Sequence, residues 1–262
     1  MTDELLSEKK NGVLVLTMNR PDAMNALTPT MMQAQLDALS DAAADPEIGC
    51  VVVTGRGRAF CAGGDVKSMA SGKRAGTLEE RAQDLRRRME VSRLLHEMPK
   101  PTIAMLNGVA AGAGLSIALA CDMRVAGKSA RMTTAFAKVG VSGDFAGHYF
   151  LHRLVGTALA RELYFTAEVL GVDRIEAMGL VNRVVADDQL EAETMKLATQ
   201  LANGPRVAWG YMKRNMKAAE EGTLAEIMDL EAWGMMRCFE TEDHKEAAKA
   251  FVEKRAPVFK GR

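Results

Sequence analysis

The chain has 262 residues, and its 34 basic side chains balance its 34 acidic ones. This length suits one large core or a main domain with an appended subdomain, and the charge balance gives no argument for nucleic acid or an anionic membrane as partner. Its four cysteines (Cys50, Cys61, Cys121 and Cys238) form no metal-binding or disulfide pattern, so we expect reduced, mostly buried thiols. The polar N-terminus and the lack of a membrane-length apolar run predict a soluble cytoplasmic protein.

The first third of the chain reads as alternating strands and helices. Residues 12–18 predict a strand, and Thr28 with Pro29 predicts the start of a helix that ends near residue 45. Residues 48–54 are almost wholly apolar, which is typical of a strand buried on both faces of a parallel sheet. That strand leads into the first glycine segment, residues 60–65.

The pattern continues through residue 187 and then becomes helical. A capping box at Thr77 and Glu80 predicts one long helix ending at residue 98. Strands follow at 102–106, 122–126 and 180–185, a helix at 113–121, and four helices at 188–202, 206–221, 223–238 and 241–254. We therefore expect an α/β core over 1–187 and an α-helical C-terminal subdomain over 188–262. Apolar stripes on the last helices predict packing surfaces and an oligomer.

Two glycine segments, residues 60–65 and 107–114, each lie where a predicted strand gives way to a helix. Glycine allows tight turns and close approach, and a helix N-terminus offers unpaired N–H groups. Two such ends that converge would bind an oxyanion.

Four segments together resemble the enoyl-CoA hydratase/isomerase (crotonase) family. They are NRPDAMNAL at 19–27, FCAGGD at 60–65, PKPTIAMLNGVAAGAGLSIALACD at 99–122 and GLVNRVV at 179–185. The resemblance implies a crotonase spiral fold of repeated ββα units, with C-terminal helices that assemble a homotrimer or a dimer of trimers. It also implies an acyl-CoA thioester as substrate, with coenzyme A as part of that substrate, and neither a separate cofactor nor a metal.

The resemblance also implies site residues. The backbone amides of Gly64 and Ala113 take the positions of the family's two donors to the thioester oxygen. Coenzyme A contacts are implied for Ala23, Met24, Ala62, Asp65 and Lys67, and Phe259 with Lys260 is implied to reach the coenzyme A of a neighbouring subunit.

Both glutamates that hydratases of this family use are replaced. Ser116 stands where the first is expected, and Phe136 where the second is expected. A serine is a poor base at neutral pH, and a phenylalanine can only shape the pocket. The two-glutamate mechanism of hydration is therefore disfavoured.

Asp144 is the carboxylate that remains in a position where some family members carry a catalytic aspartate. Relatives that resemble the ring-opening isomerase of phenylacetyl-CoA degradation use it to move a proton, and those that resemble 4-chlorobenzoyl-CoA dehalogenase use it as a nucleophile. The structural alternative is that Asp144 caps a helix starting at Phe145. His148, on the same predicted helix face, could tune the pKa of Asp144.

These residues favour double-bond isomerisation with Asp144 as acid and base over hydration. Enoyl-CoA hydration and a hydrolase- or dehalogenase-like reaction remain alternatives. A basic stretch at 73–93 leaves one further alternative, that the protein is a non-catalytic family member that binds CoA or RNA. Four acidic residues in that stretch argue against nucleic acid.

Overall fold

The computed structural model describes residues 2–65 and 76–262. Its larger sheet has six strands in the order β1-β2-β3-β5-β7-β10, and β1 alone runs antiparallel to its neighbour. These strands are β1 (Leu5–Lys10), β2 (Val13–Met18), β3 (Cys50–Gly55), β5 (Thr102–Leu106), β7 (Met123–Gly127) and β10 (Arg183–Val185). Every residue of β3 and β5 is buried, as expected for central parallel strands covered on both faces.

A second, smaller sheet consists of four short strands. It contains β4 (Ala59–Cys61), β6 (Val109–Ala111), β8 (Arg131–Thr133) and β9 (Leu170–Gly171), in that order. β4, β6 and β8 are parallel, whereas β9 is antiparallel to β8. Because β4 overlaps the start of the first glycine segment and β6 lies within the second, their pairing fixes where those segments meet.

Ten α-helices surround and extend the two sheets in the described part of the chain. They are α1 (Pro29–Ala44), α2 (Leu78–Arg88), α3 (Glu90–Glu97), α4 (Ala113–Ala120), α5 (Gly147–Thr166), α6 (Val172–Ala177), α7 (Leu190–Ala202), α8 (Arg206–Ala219), α9 (Leu224–Phe239) and α10 (Glu242–Val252). Short 3-10 helices occur at Pro21–Ala23, Phe136–Val139 and Asp187–Gln189. Every residue of α4 is buried, so this helix forms the centre of the core.

The predicted helix starts agree well with the structure. The side chain of Thr28 accepts a hydrogen bond from the Met31 amide with Pro29 at the first helical position, and Thr77 with Glu80 forms the predicted capping box. The single helix predicted up to residue 98 is instead two helices, α2 and α3, which meet at Met89. The strand predicted at 180–185 covers only Arg183–Val185.

The strand β1 and the short strands of the smaller sheet were not predicted. In β1 only Leu5 is buried, so its sequence carries no alternation that separates it from a polar terminus. β4, β6 and β8 have three residues each, too few for a periodic signal.

The C-terminal helices expose large apolar side chains. Leu224 on α9 is 78% exposed, Trp233 is 72% exposed, and Met216 on α8 is 65% exposed. In contrast, α7 packs its Leu197 and Ala198 against the larger sheet in one buried cluster. Within residues 2–65 and 76–262, no helix has the length and apolar character needed to cross a membrane.

Candidate active site

The two glycine segments lie in direct contact. A Cβ on Gly63 would lie 2.7 Å from the carbonyl oxygen of Ala111 and 3.4 Å from the amide nitrogen of Ala113. A Cβ on Gly114 would lie 2.4 Å from the carbonyl oxygen of Cys61. Both glycines are therefore required by this close approach, which brings the N-terminus of α4 against the end of β4.

The orientation of the Gly64 amide follows from a parallel β-bridge between Leu27 and Gly64. The Leu27 amide donates to the carbonyl oxygen of Gly63 at 2.8 Å. In a parallel bridge with this pattern, the N–H of the opposed residue, Gly64, points away from Leu27. Ala113 is the first residue of α4, so its N–H has no partner inside the helix. Across residues 2–65 and 76–262, neither amide donates a hydrogen bond.

Four of the seven residues predicted to contact coenzyme A lie around this segment. The Ala62 amide donates to the carbonyl oxygen of Met24 at 2.9 Å, Ala23 precedes Met24 in the same 3-10 turn, and Asp65 follows Gly64. The predicted contact at Lys67 lies outside the described residues.

The predicted C-terminal contacts, Phe259 and Lys260, lie in a tail held by its own chain. The Lys260 amide donates to Oδ1 of Asp243 at 2.6 Å, and the Arg206 guanidinium donates to the Lys260 carbonyl oxygen. In the described part of the chain no hydrogen bond joins this tail to the glycine segments. The tail is thus held against α8 and α10 of its own chain, and the contact of Phe259 and Lys260 with the coenzyme A of a neighbouring subunit stays a prediction.

Ser116 and Phe136 both lie beside the second glycine segment. Ser116 is 1% exposed, and its hydroxyl donates to the carbonyl oxygen of Gly112 at 3.2 Å. The Phe136 ring would lie 3.6 Å from a Cβ on Gly112. Ser116 and Phe136, which stand where the resemblance implies the family's two glutamates, therefore both lie beside Gly112, the residue before Ala113.

The backbone around Asp144 differs from the predicted helix cap. The helix begins at Gly147 rather than Phe145, and no side chain caps it, so the capping hypothesis for Asp144 is wrong. Phe145 and Ala146 have φ values of 52° and 58°, and the Gly147 amide closes a turn on the Asp144 carbonyl oxygen at 3.2 Å. Two consecutive non-glycine residues in the left-handed region are unfavourable by roughly 1–3 kcal/mol each.

The Asp144 side chain is half-buried and poorly solvated. Its Oδ1 atom is buried and has no hydrogen-bond partner within residues 2–65 and 76–262. Burial raises the pKa of the Asp144 carboxyl to about 6 because desolvation disfavours the charged form. A carboxyl with such a pKa is able to both take and return a proton near neutral pH.

Tyr164 belongs to the same cluster but was not predicted from the sequence. Its hydroxyl and the Ser116 hydroxyl would lie 2.6 Å and 2.3 Å, respectively, from a Cβ on Gly147. Burial raises the pKa of the Tyr164 hydroxyl, and the charge of Asp144 raises it further. A kink at Gly156, with φ 78° and ψ 169°, interrupts α5 between Gly147 and Tyr164.

His148 does not share a helix with Asp144, which precedes the start of α5. Its ring stacks on Tyr164 with the centroids 4.0 Å apart and an interplanar angle of 14°. Phe136 stacks on the same tyrosine at 6.1 Å. These rings, with Ala160 and Phe165, line a cavity of about 710 Å³ beside the 3-10 helix Phe136–Val139.

Two further sequence features have structural roles here. The thiol of Cys61 is buried and donates to the Asn25 carbonyl oxygen at 3.1 Å, and burial raises its pKa to about 12, so it stays protonated beside the site. The basic residues Arg86, Arg87, Arg88 and Arg93 of the 73–93 stretch form ion pairs with acidic residues of α2 and α3. This pairing accounts for much of the basic stretch without nucleic acid.

The fold and the site define a class of protein. It is an α/β protein in which, among the residues that the structure describes, the Gly64 and Ala113 amides donate no hydrogen bond and the desolvated Asp144 carboxyl lies in the same region, which suits reactions that pass through an oxyanion. Residues 8–262 match the model of a protein family described as "Enoyl-CoA hydratase/isomerase".

Known proteins resemble the chain over nearly its whole length. It is 34% identical to the 1,2-epoxyphenylacetyl-CoA isomerase of Escherichia coli (strain K12), over 100% of both chains. It is also 34% identical to the crotonyl-CoA hydratase of Syntrophomonas wolfei, over 98% of both chains. A putative enoyl-CoA hydratase from Streptomyces coelicolor A3(2) superposes with a TM-score of 0.94 at 34% identity, covering 99% of this chain and 94% of its own.

The chain therefore belongs to the enoyl-CoA hydratase/isomerase family, whose enzymes act on coenzyme A thioesters. The solved relatives confirm the α/β crotonase fold with its helical C-terminal part. The relatives carry both isomerase and hydratase names, so membership alone leaves the reaction open.

Proposed function

We propose that this protein isomerises a carbon–carbon double bond in an acyl-CoA thioester, with Asp144 as acid and base. The observation that carries the proposal is the Asp144 carboxyl, which is desolvated, has its pKa raised to about 6, and has a buried oxygen with no hydrogen-bond partner among the described residues. Its neighbourhood holds Ser116 and Phe136 where a hydratase of this family carries glutamates.

In the proposed mechanism the thioester oxygen accepts hydrogen bonds from the amides of Gly64 and Ala113. As Asp144 removes a proton from one carbon, negative charge develops on that oxygen, and the two amides stabilise it. One such donor contributes about 3–4 kcal/mol to the transition state. Asp144 then returns the proton to another carbon of the enolate, which moves the double bond without adding water.

Hydration is the weaker alternative, although relatives at similar identity are named hydratases. A hydratase needs groups that activate water and deliver a proton. The Ser116 hydroxyl is already donated to a backbone carbonyl, and Phe136 has no titratable group. A hydrolytic or dehalogenase-like reaction would use Asp144 as a nucleophile or as a base for water.

The deciding experiment assays 2-enoyl-, 3-enoyl- and aryl-CoA thioesters with the wild type, Asp144→Asn and Asp41→Asn. Asp41 is exposed on α1, so its variant is a matched control. We expect Asp144→Asn to lower the kcat of isomerisation by about 10²- to 10⁴-fold. The kcat/KM of the wild type should rise with pH through about 6, since the base must be ionised. Undiminished isomerisation by Asp144→Asn would remove Asp144 from the mechanism.

We further propose that the protein forms a trimer or a dimer of trimers in the cytoplasm, with residues 188–262 as the assembly subdomain. The exposed apolar side chains of α8 and α9 support this proposal, because patches of this kind mark subunit interfaces. Light scattering would measure the mass directly.

A non-catalytic CoA- or RNA-binding role would require that no thioester in the panel is turned over.

A further inference from the structure

The segment that precedes α1 holds the first glycine segment in place. Leu27 pairs with Gly63 and Gly64, and Met24 accepts the Ala62 amide. Asn25 is fully buried, and its side-chain amide donates to the carbonyl oxygens of Arg56 and Ala59 at 3.0 Å and 2.8 Å. The turn and the glycine segment therefore form one hydrogen-bonded unit.

Arg20 connects the two ends of this unit. Its Nη1 donates to the Ala26 carbonyl oxygen at 2.7 Å, and its Nη2 donates to Oδ2 of Asp65 at 3.2 Å. Its backbone amide donates to Oδ1 of Asn25 at 2.9 Å, and its Nε lies 3.6 Å from Oε1 of Glu4. The guanidinium thus reaches both the residue before Leu27 and the residue after Gly64.

The Gly64 N–H belongs to the Gly63–Gly64 peptide, so its direction is restricted when both this peptide and the residue after it are held. The Leu27 amide holds the carbonyl oxygen of the Gly63–Gly64 peptide, and the Arg20–Asp65 ion pair holds Asp65, the residue after Gly64. The Arg20 and Asp65 side chains are 23% and 22% exposed, so solvent screens this pair less than a fully exposed one. An arginine fork suits this task because its donors have fixed relative directions.

We propose that Arg20 is a positioning residue for the Gly64 amide, acting through Asp65 to aim that donor at the thioester oxygen. This inference rests on the proposed function, which gives the Gly64 amide its role. Under this inference, Arg20 does not contact the reacting atoms. Its effect on the reaction passes through the direction of one peptide group.

The test uses Arg20→Met, Asp65→Asn and the double variant. Arg20→Met keeps most of the apolar stem and removes the fork. Arg56→Met is the matched control, because Arg56 is exposed near the same turn and donates to Oδ1 of Asn19 instead of reaching Asp65. Each protein is assayed for kcat and KM. The carbonyl stretch of bound butyryl-CoA, a saturated thioester that is not isomerised, is measured by difference vibrational spectroscopy.

We expect Arg20→Met to lower kcat by about 10- to 100-fold, with a smaller change in KM, because a misdirected donor weakens mainly the transition state. The butyryl-CoA carbonyl stretch should move back toward its frequency in solution. The double variant should be no worse than the worse single variant, since both break one ion pair. Arg56→Met should match the wild type in every readout.

A purely structural role for Arg20 would lower the melting temperature of Arg20→Met while leaving kcat and the carbonyl frequency unchanged below it. That result, or additive losses in the double variant, would overturn the inference and leave the proposed function intact. A wild-type carbonyl frequency equal to that in solution would overturn the oxyanion role of Gly64 itself, and the inference with it.

Discussion

The buried carboxyl of Asp144 should make the protein less stable than its asparagine variant at neutral pH. The folded-state pKa of about 6 lies above the usual aspartate value. Below about pH 4 both the folded and the unfolded chain hold the proton, and the wild type carries no penalty. As pH rises from about 4 to about 6, the unfolded chain releases its proton first, so the folded state loses stability over that window.

The size of the effect follows from the pKa. The difference between a pKa of about 6 in the folded chain and the usual aspartate value of about 4 corresponds to about 3 kcal/mol, because each tenfold change in proton affinity is about 1.4 kcal/mol. Because the side chain is only half-buried, solvent screening reduces this to about 1–1.5 kcal/mol. Asp144→Asn has nearly the same shape and no charge, so its free energy of unfolding should exceed that of the wild type by this amount above pH 6.

Urea denaturation of both proteins at pH values from 4.5 to 8 measures the difference, with Asp41→Asn as the control. The curves should lie close together at pH 4.5, diverge up to about pH 6, and stay separated by a constant amount above it. A parallel pair of curves, or a variant that is less stable at pH 8, would refute the placement of Asp144 in a desolvated environment. The expected combination of lost activity and gained stability is typical of a functional residue held in an unfavourable environment.

Three further substitutions test other parts of the site. Asn25→Ala should lower the free energy of unfolding by about 2–4 kcal/mol, measured in urea, because it removes the donor to the Arg56 carbonyl oxygen, one of two donors to the buried Ala59 carbonyl oxygen, and the acceptor of the Arg20 amide. Gly114→Ala should abolish activity and reduce the soluble yield, since its Cβ would meet the Cys61 backbone oxygen at 2.4 Å. Ala146→Gly should raise the melting temperature by a few degrees, corresponding to about 1 kcal/mol, because glycine adopts a positive φ without strain. Wild-type stability in Asn25→Ala, or a lower melting temperature in Ala146→Gly, would contradict these assignments.

The sequence predicted the parts of the fold that depend on local signals. The Thr28 and Thr77 caps are set by residues within one turn, and the buried strand β3 has a continuous apolar run, so each could be found without the tertiary structure. The strand β1 lies at the edge of the sheet with five exposed residues, and its pairing with β2 is visible only once β2 is in place.

The same distinction applies to the candidate site. The glycine segments and Asp144 belong to motifs that can be read in order along the chain. Tyr164 follows Asp144 by twenty residues on the second half of a kinked helix, and no local pattern indicates that Gly156 turns the chain there. The sequence left a helix cap as the alternative role of Asp144 because aspartate favours that position, whereas Phe145 and Ala146 adopt left-handed conformations that their side chains ordinarily avoid.

The direction of the Gly64 N–H, the candidate oxyanion donor, also depends on the register of the Leu27–Gly64 bridge. Along a paired segment, successive N–H groups point to opposite sides. If the pairing slipped by one residue, the Gly64 amide would face Leu27, and its neighbour's amide would point outward instead. An insertion or deletion between Arg20 and Leu27 should therefore disable the site even if every residue discussed above were retained, whereas a similar change at the exposed turn after α1 would leave the register intact.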